Sequence, residues 1–258
     1  MRLLSFDTST SDLHICLADQ GQVVASEIVK SRPDDRQYAA AILIPTIQDL
    51  LTRVGWSKAD LETLVVGIGP GGFTGVRIAV VCARTIAQAL KLPLIGISIL
   101  ECYVFQHAAC AGVVLGAGKE GFYVAAYDVV PIGSLVEHAS INQALARQSD
   151  LVCISSPIYT NKEGITVALK GVKYCLTEDK TRSYLGDIQA NVQVLPKLDN
   201  IAVVQAQLAF NRLCIAKALN LKQPDNGSNC QSLLLCFPHE SVRPLYLQNA
   251  SITKKGAN

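Results

Sequence analysis

The spacing of apolar residues in the first 30 positions predicts three short strands. Residues 3–6 form an apolar run, and the polar cluster at residues 7–10 that follows it is typical of a turn. In residues 13–17 apolar and polar positions alternate, as they do in a half-buried strand. Gly21 then marks a hairpin turn into the apolar segment 23–29. We therefore expect a β-meander at the start of the chain.

After residue 37, the spacing of apolar residues predicts helices that alternate with short strands. Residues 38–54 carry apolar side chains at helical spacing, although Pro45 predicts a kink or break within that helix. The buried strand 64–68 leads into a glycine-rich loop, and a helix is predicted over residues 76–90. A further short strand and a helix over residues 99–109 complete the order β-β-β-α-β-α-β-α.

The second half of the chain repeats this beginning after an offset of about 110 residues. The strand 113–115, the turn 116–121 and the strand 122–127 correspond to the first hairpin, and residues 133–138 take the place of the third strand. Three further elements are expected in this half: a strand at 151–154, a helix at 203–219 and an extended tail at 241–249.

A hairpin-first unit that occurs twice is the plan of the actin-like ATPase folds. The pattern thus predicts an α/β protein with tandem actin-like lobes of the ribonuclease H type, each a mixed five-stranded sheet with flanking helices. We assign residues 1–110 to the first lobe, which contains the glycine loop, and residues 111–258 to a degenerate second lobe. The tail at 241–250 is expected to pack back on the first lobe.

The amino-acid composition and net charge limit the partners and the cellular setting that we expect for the protein. Half of the 258 residues are hydrophobic and only 17% are charged, below the usual share of about 25%, so part of the surface is expected to meet a partner. A net charge of +2 indicates neither a nucleic-acid stripe nor membrane attraction. The nine cysteines include no C-x-x-C pair, which indicates reduced thiols. We expect a soluble, cytoplasmic protein that does not enter a membrane.

The glycine loop around Pro70 has two interpretations. A strand, a glycine-rich turn and a helix N-terminus can together bind an anion or a nucleotide, and Thr74 stands where a hydroxyl caps a helix. The same pattern also describes a tight turn that binds nothing, and the spacing matches neither common nucleotide loop. The candidate anion or nucleotide ligands are Asp7, Thr8, Gly69, Gly71, Gly72, Thr74 and Arg77.

Four stretches resemble the TsaB (YeaZ) family, whose members take part in the synthesis of threonylcarbamoyladenosine on tRNA. They are residues 4–10, the glycine loop 67–77, residues 93–101 and the tail segment 244–247. The combination Gly-Pro-Gly-x-Phe-Thr-Gly-x-Arg after a strand is specific. The resemblance is dense over the first hundred residues and thin from there to the tail.

The resemblance implies a scaffold subunit rather than a catalyst. In that family the chemistry belongs to a related subunit, TsaD, which the TsaB-like subunit binds through the helices of its first lobe, and an ATPase, TsaE, joins them. We further expect a homodimer through the same helices when the partner is missing, and only indirect contact with tRNA because the net charge is low. We expect no cofactor of its own, with ATP only at the interface of the complex.

The chain departs from the family pattern at four places. Gly72 stands where the family usually has Ser, residues 36–39 replace a His-Ser-Glu segment, and residues 116–119 replace an Asp-Ala-Arg-like turn. Gln248 stands where the last signature commonly ends in Arg. Polar roles at these positions are therefore not carried over to this chain.

The two helices of the first lobe, 38–54 and 76–90, are apolar on more than one side, which exceeds what one sheet covers. We predict a helical interface of about 800 Å² per partner, with Ala83→Glu abolishing it while the monomer stays folded. The predicted interface residues are Ala40, Ile44, Ile47, Leu51, Ile78, Ala79, Cys82, Ala83 and Ile86.

The alternative function is a small actin-like phosphotransferase or ATPase that uses Asp7 and the glycine loop. Against it, the turn 116–121 lacks the carboxylate that a second phosphate hairpin needs. The four histidines include no pair at helical spacing, so no metal site is predicted, and we predict no catalytic residues. Asp7 is expected to cap its turn, and Arg77 to pair with Glu101 or Asp7.

Overall fold

The structure is a computed structural model that describes residues 1–30, 38–117, 121–135, 149–185, 191–195, 198–220 and 237–247. Of residues 38–40, 219 and 220 only the backbone is described. The elements of the first half are β1 Arg2–Asp7, β2 Leu13–Asp19, β3 Gln22–Val29, α1 Tyr38–Arg53, β4 Thr63–Gly67, α2 Phe73–Leu90, β5 Leu94–Ile97 and α3 Ile99–His107. Those of the second half are β6 Ala111–Gly116, β7 Phe122–Pro131, α4 Ile132–Leu135, β8 Ser149–Thr160, α5 Lys162–Ala168, β9 Tyr174–Thr177, α6 Asp179–Arg182, β10 Asn191–Val194 and α7 Ile201–Asn220.

The described strands form two five-stranded sheets with the same topology. The first has the order β3-β2-β1-β4-β5 and the second the order β10-β9-β6-β7-β8. In each sheet an antiparallel three-stranded meander is followed by two strands that run parallel to its first strand. The predicted fold class, with two mixed five-stranded sheets and flanking helices, is confirmed.

Strand β1 supplies side chains to both faces of the first sheet. Leu4 and Phe6 are fully buried in the core that the sheet forms with α1 and α2. Leu3 is buried in the core on the opposite face, where α7 packs, and the neighbouring polar side chains Ser5 and Asp7 meet a glutamine of α7. Because successive side chains of a strand point to opposite faces, this one strand joins the two layers.

Helix α7 comes from the second half of the sequence but packs on the sheet of the first half. It contacts β1, β2, β4 and β5 of the first sheet and also α3. Its apolar residues, among them Ala202, Leu208 and Leu213, belong to the core on that face. The sequence predicted this helix over residues 203–219, and the structure extends it to Ile201–Asn220.

The tail also lies against the first lobe over its described residues. Val242 is buried in the core of α1 and α2, and the Leu245 N–H donates a hydrogen bond to the Ile68 carbonyl at 2.8 Å. The final part of the predicted tail, 248–250, lies outside the described residues.

The prediction of a third strand at residues 133–138 is wrong for its described part, and α1 is not broken at Pro45. Residues 133–135 are helical in α4 and not part of a strand, and the third strand of the second sheet is the later Ser149–Thr160; residues 136–138 lie outside the described residues. Helix α1 continues through Pro45. Pro45 is exposed while Leu43 and Ile47 are buried, so the packed face of the helix does not depend on the missing N–H.

Within the described ranges, α2 alone is long and apolar enough to cross a membrane by length and composition. That signal is weak, because the core helix of a soluble protein passes the same test. One side of α2 belongs to the core, where its own residues Val76 and Val80 are buried, and the other side is exposed. The exposed side carries the large apolar side chains Phe73 and Val81.

Candidate functional site

The glycine loop packs directly on the turn that follows β1. The Gly72 N–H donates to the Ser9 carbonyl at 2.7 Å, and the Thr8 hydroxyl donates to the Gly75 carbonyl at 2.7 Å. A Cβ added at Gly71 would lie 2.3 Å from the Ser9 oxygen, and one at Gly75 would lie 1.9 Å from the Thr8 oxygen. The glycines therefore permit two backbone segments to touch.

This contact predicts unequal effects for two neighbouring glycines. We expect Gly75→Ala to lower the free energy of unfolding by about 1–3 kcal/mol, because the new methyl group overlaps a backbone oxygen. A Cβ at Gly72 would meet the Ser9 oxygen at 3.5 Å, an ordinary contact, so Gly72→Ala should stay within about 0.5 kcal/mol of the parent. Urea denaturation of both variants measures the difference, and equal losses would contradict the packing described.

The carboxylate of Asp7 is fully buried and takes part in the fold. One oxygen accepts the Ser9 N–H at 2.6 Å, and the other accepts the side-chain amide of Gln205 in α7 at 2.7 Å. Gly67 leaves room for this carboxylate, since a Cβ there would lie 1.7 Å from it. Both oxygens thus have structural donors, and the geometry favours the tight-turn interpretation over an anion or nucleotide site.

The predicted ligands Gly69 and Thr74 lie in different surroundings on the loop. Gly69 has a φ of +89°, a conformation that suits glycine, and its carbonyl accepts bonds from the Ser98 hydroxyl at 2.7 Å and the Ile99 N–H at 3.0 Å. Thr74 is not the helix cap: the cap position is Gly72, and Thr74 is exposed in the first turn. The predicted capping role of Thr74 is corrected accordingly.

Arg77 pairs with neither Glu101 nor Asp7, so that prediction is wrong. Its guanidinium carbon lies 4.0 Å from the centre of the Phe73 ring, and its Nε–H donates to the Tyr246 hydroxyl at 2.7 Å. Glu101 instead forms a partly buried ion pair with Arg212 of α7. The partner of Arg77 comes from the tail, 169 residues away in sequence.

The structure corrects the predicted interface. Ala79 and Ala83 are fully buried against the sheet, and Ile47 and Leu51 are nearly so, so these four side chains belong to the first core and cannot touch a partner in the folded chain. Their small or branched side chains let α1 and α2 approach their own sheet. The side chain of Ala40, also predicted, lies outside the described residues.

The remaining predicted residues lie on the outer side of the two helices. Ile44 is 39% exposed, and Ile78, Cys82 and Ile86 are half-buried. The predicted set omitted two exposed large apolar side chains of α2, Val81 at 62% and Phe73 at 37%. Helical spacing from Ile78 and Arg77 could have found both. We call Ile44, Phe73, Ile78, Val81 and Cys82 the α1/α2 surface.

The described residues show neither a metal-binding cluster nor an activated thiol at Cys82. No three or more His, Cys, Asp or Glu side chains stand where they could hold a metal ion in that part of the chain. Burial raises the pKa of the Cys82 thiol above its usual value, which disfavours the reactive thiolate. The described side chains of the α1/α2 surface are therefore apolar, and burial does not activate the Cys82 thiol among them.

His14 should make stability depend on pH. Its imidazole is buried beside Asp7, and burial lowers its pKa below 6.5. The unfolded chain therefore binds the proton more readily, and we expect the free energy of unfolding to fall as the pH drops below about 6.5. Urea denaturation from pH 7.5 to 5 measures this. His14→Gln should flatten the profile, whereas the control His239→Gln should keep it; an unchanged slope in His14→Gln would refute the assignment.

Comparisons with known proteins agree with this architecture. The family model described as TsaD, tRNA N6-adenosine threonylcarbamoyltransferase, matches residues 35–230. The tRNA threonylcarbamoyladenosine biosynthesis protein TsaB of Escherichia coli (strain K12) is 38% identical over 100 residues, which is 39% of this chain and 41% of that protein. The Bacillus subtilis (strain 168) protein of the same name is 36% identical over 101 residues, 39% of this chain and 42% of the relative.

Two solved structures share the fold. A Pseudomonas aeruginosa protein described as similar to peptidase YEAZ superposes with a TM-score of 0.64 at 20% identity, covering 96% of this chain and 99% of that one. YeaZ from the same organism gives 0.59 at 21% identity, with 81% and 91% covered. The matched segment spans about two fifths of the curated relatives' length. The chain belongs to the family whose model is described as TsaD, and the curated proteins that it resembles include TsaB proteins.

Proposed function

We propose that this chain is a non-catalytic subunit of the machinery that makes N6-threonylcarbamoyladenosine in tRNA, and that it binds and stabilises a TsaD-like catalytic subunit through the α1/α2 surface. The observation that carries the proposal is the exposure of Val81, Ile44 and Phe73 on two adjacent helices whose other sides are buried. Exposed apolar patches on a folded protein mark interaction sites.

The proposal assigns no chemistry to the chain. Asp7, the carboxylate that an actin-like ATPase would need, is buried and accepts bonds from Ser9 and Gln205. The backbone of Ser9 fills the space beside Gly71. A phosphotransferase using this loop would have to break these contacts, so this geometry supports a scaffold. ATP would enter only at the interface of the complex.

The wider assembly is part of the same proposal. A TsaE-like ATPase joins the pair, tRNA is reached through the catalytic subunit, and the chain forms a homodimer when it is alone. All of this takes place in the cytoplasm. The names of the TsaB relatives and of the TsaD family model support a complex that contains a TsaD-like subunit.

The experiment is depletion of the chain in its own cell, with the nucleosides of total tRNA measured by mass spectrometry. We expect threonylcarbamoyladenosine to fall and to return when the wild-type chain is supplied. Unchanged modification would contradict the proposal. Turnover of ATP by the isolated chain would favour the phosphotransferase instead.

A further inference from the structure

The exposed side of α2 carries positive charge that no carboxylate pairs with in the part of the chain that the structure describes. Between Thr63 and Leu100 the sequence contains no Asp or Glu and three cations, Arg77, Arg84 and Lys91. Arg77 and Arg84 are seven residues apart, which is two helical turns or about 10 Å on one side of the helix. Val81 stands between them on the same side, because it follows Arg77 by four residues.

Neither guanidinium has a carboxylate partner among the described residues. The neighbouring helix α1 is different, because its exposed Arg53 pairs with Asp49 at 2.9 Å and also with Glu27. Within the described ranges, the guanidinium groups of the two helices that lack a carboxylate partner are therefore those of α2, one on each side of the exposed Val81.

Arg77 is also held in place before any partner arrives. Its guanidinium lies over the Phe73 ring and is bonded by the hydroxyl of Tyr246, and the two rings are 5.3 Å apart. A long side chain that is already fixed loses little further freedom on binding. The described tail thus positions a cation at the edge of the α1/α2 surface.

We infer that the surface on α2 selects a protein partner that presents carboxylates opposite Arg77 and Arg84, around an apolar centre opposite Val81. This inference rests on the proposed function, because the partner is the TsaD-like subunit. Complementary charge of this kind sets specificity and association rate. A second copy of the chain fits less well, since a two-fold axis on α2 would bring four guanidinium groups together.

The test is the dissociation constant for the TsaD-like protein of the same genome, measured by titration calorimetry between about 0.05 and 0.5 M NaCl, a range over which screening becomes strong. We expect the wild-type complex to weaken with salt and Arg84→Glu to weaken it about tenfold at low salt, with a smaller effect at high salt. Lys170→Glu, an equal charge change on the second lobe, is the control and should leave affinity unchanged.

The outcomes separate this inference from the proposed function. No complex with the wild-type chain would defeat both. A complex that is insensitive to salt and to Arg84→Glu would overturn the inference and leave the proposed function standing. The inference would also be overturned if Arg84→Glu spared the protein complex and instead reduced retention of tRNA. Self-association of the isolated chain, measured by sedimentation velocity, should rise with salt, and a fall would count against the inference.

Discussion

Replacing Val81 by glutamate is expected to raise the dissociation constant for the TsaD-like subunit by about a hundredfold, since a desolvated charge at the centre of an interface is a hot-spot loss. Val81 is 62% exposed, so the fold should survive, and thermal unfolding should change little. Calorimetric titration of the purified proteins measures the loss.

Val167 offers a matched control for this variant. It is a valine on a helix of the second lobe and is 77% exposed, so Val167→Glu makes the same chemical change away from the α1/α2 surface. We expect its affinity for the TsaD-like subunit to equal that of the parent. Equal losses in both variants would mean that the valine on α2 has no special role.

Replacing Ala83 by glutamate should instead unfold the protein. Ala83 is fully buried between α2 and the first sheet, so a longer, charged side chain would be both overpacked and unpaired. We expect a loss of about 4 kcal/mol or more, a large share of the ~5–15 kcal/mol that stabilises a typical domain. The loss is measured by urea denaturation, and this expectation replaces the sequence-based one, in which the variant kept its fold.

The control for this prediction lies on the same helix. Ala89 is exposed, and Ala89→Glu makes an identical substitution outside the core, so its stability should stay within about 0.5 kcal/mol of the parent. A folded Ala83→Glu protein with parental stability would show that the packing of α2 on the sheet is not as described.

The sheet topology could be predicted because each of its signals is local. Alternation in β2, the turn at Gly21 and the buried run of β4 are read within a few residues, and the repeat in the second half reinforces them. The third strand of the second sheet was assigned to residues 133–138, and β8 was predicted only over residues 151–154, because β8 contains Ser155, Ser156 and Pro157. Its register with β7 also shifts twice near Ala126.

The candidate site was harder to predict, because its contacts join distant parts of the chain. Helical spacing shows that Ala79 and Ala83 share a face, but it does not show whether that face meets the chain's own sheet or a partner. The bonds from Gln205 to Asp7 and from Arg77 to Tyr246 join residues 198 and 169 positions apart. No local pattern encodes such pairs, so the Arg77 partner was assigned to the wrong residues.

The most direct test of the central claim is light scattering on an equimolar mixture of this chain and the TsaD-like protein of the same genome. We predict one species with the mass of a 1:1 complex for the wild-type chain and for Val167→Glu, and separate proteins for Val81→Glu. Separate proteins with the wild-type chain, or a complex that forms equally well with Val81→Glu, would contradict the account.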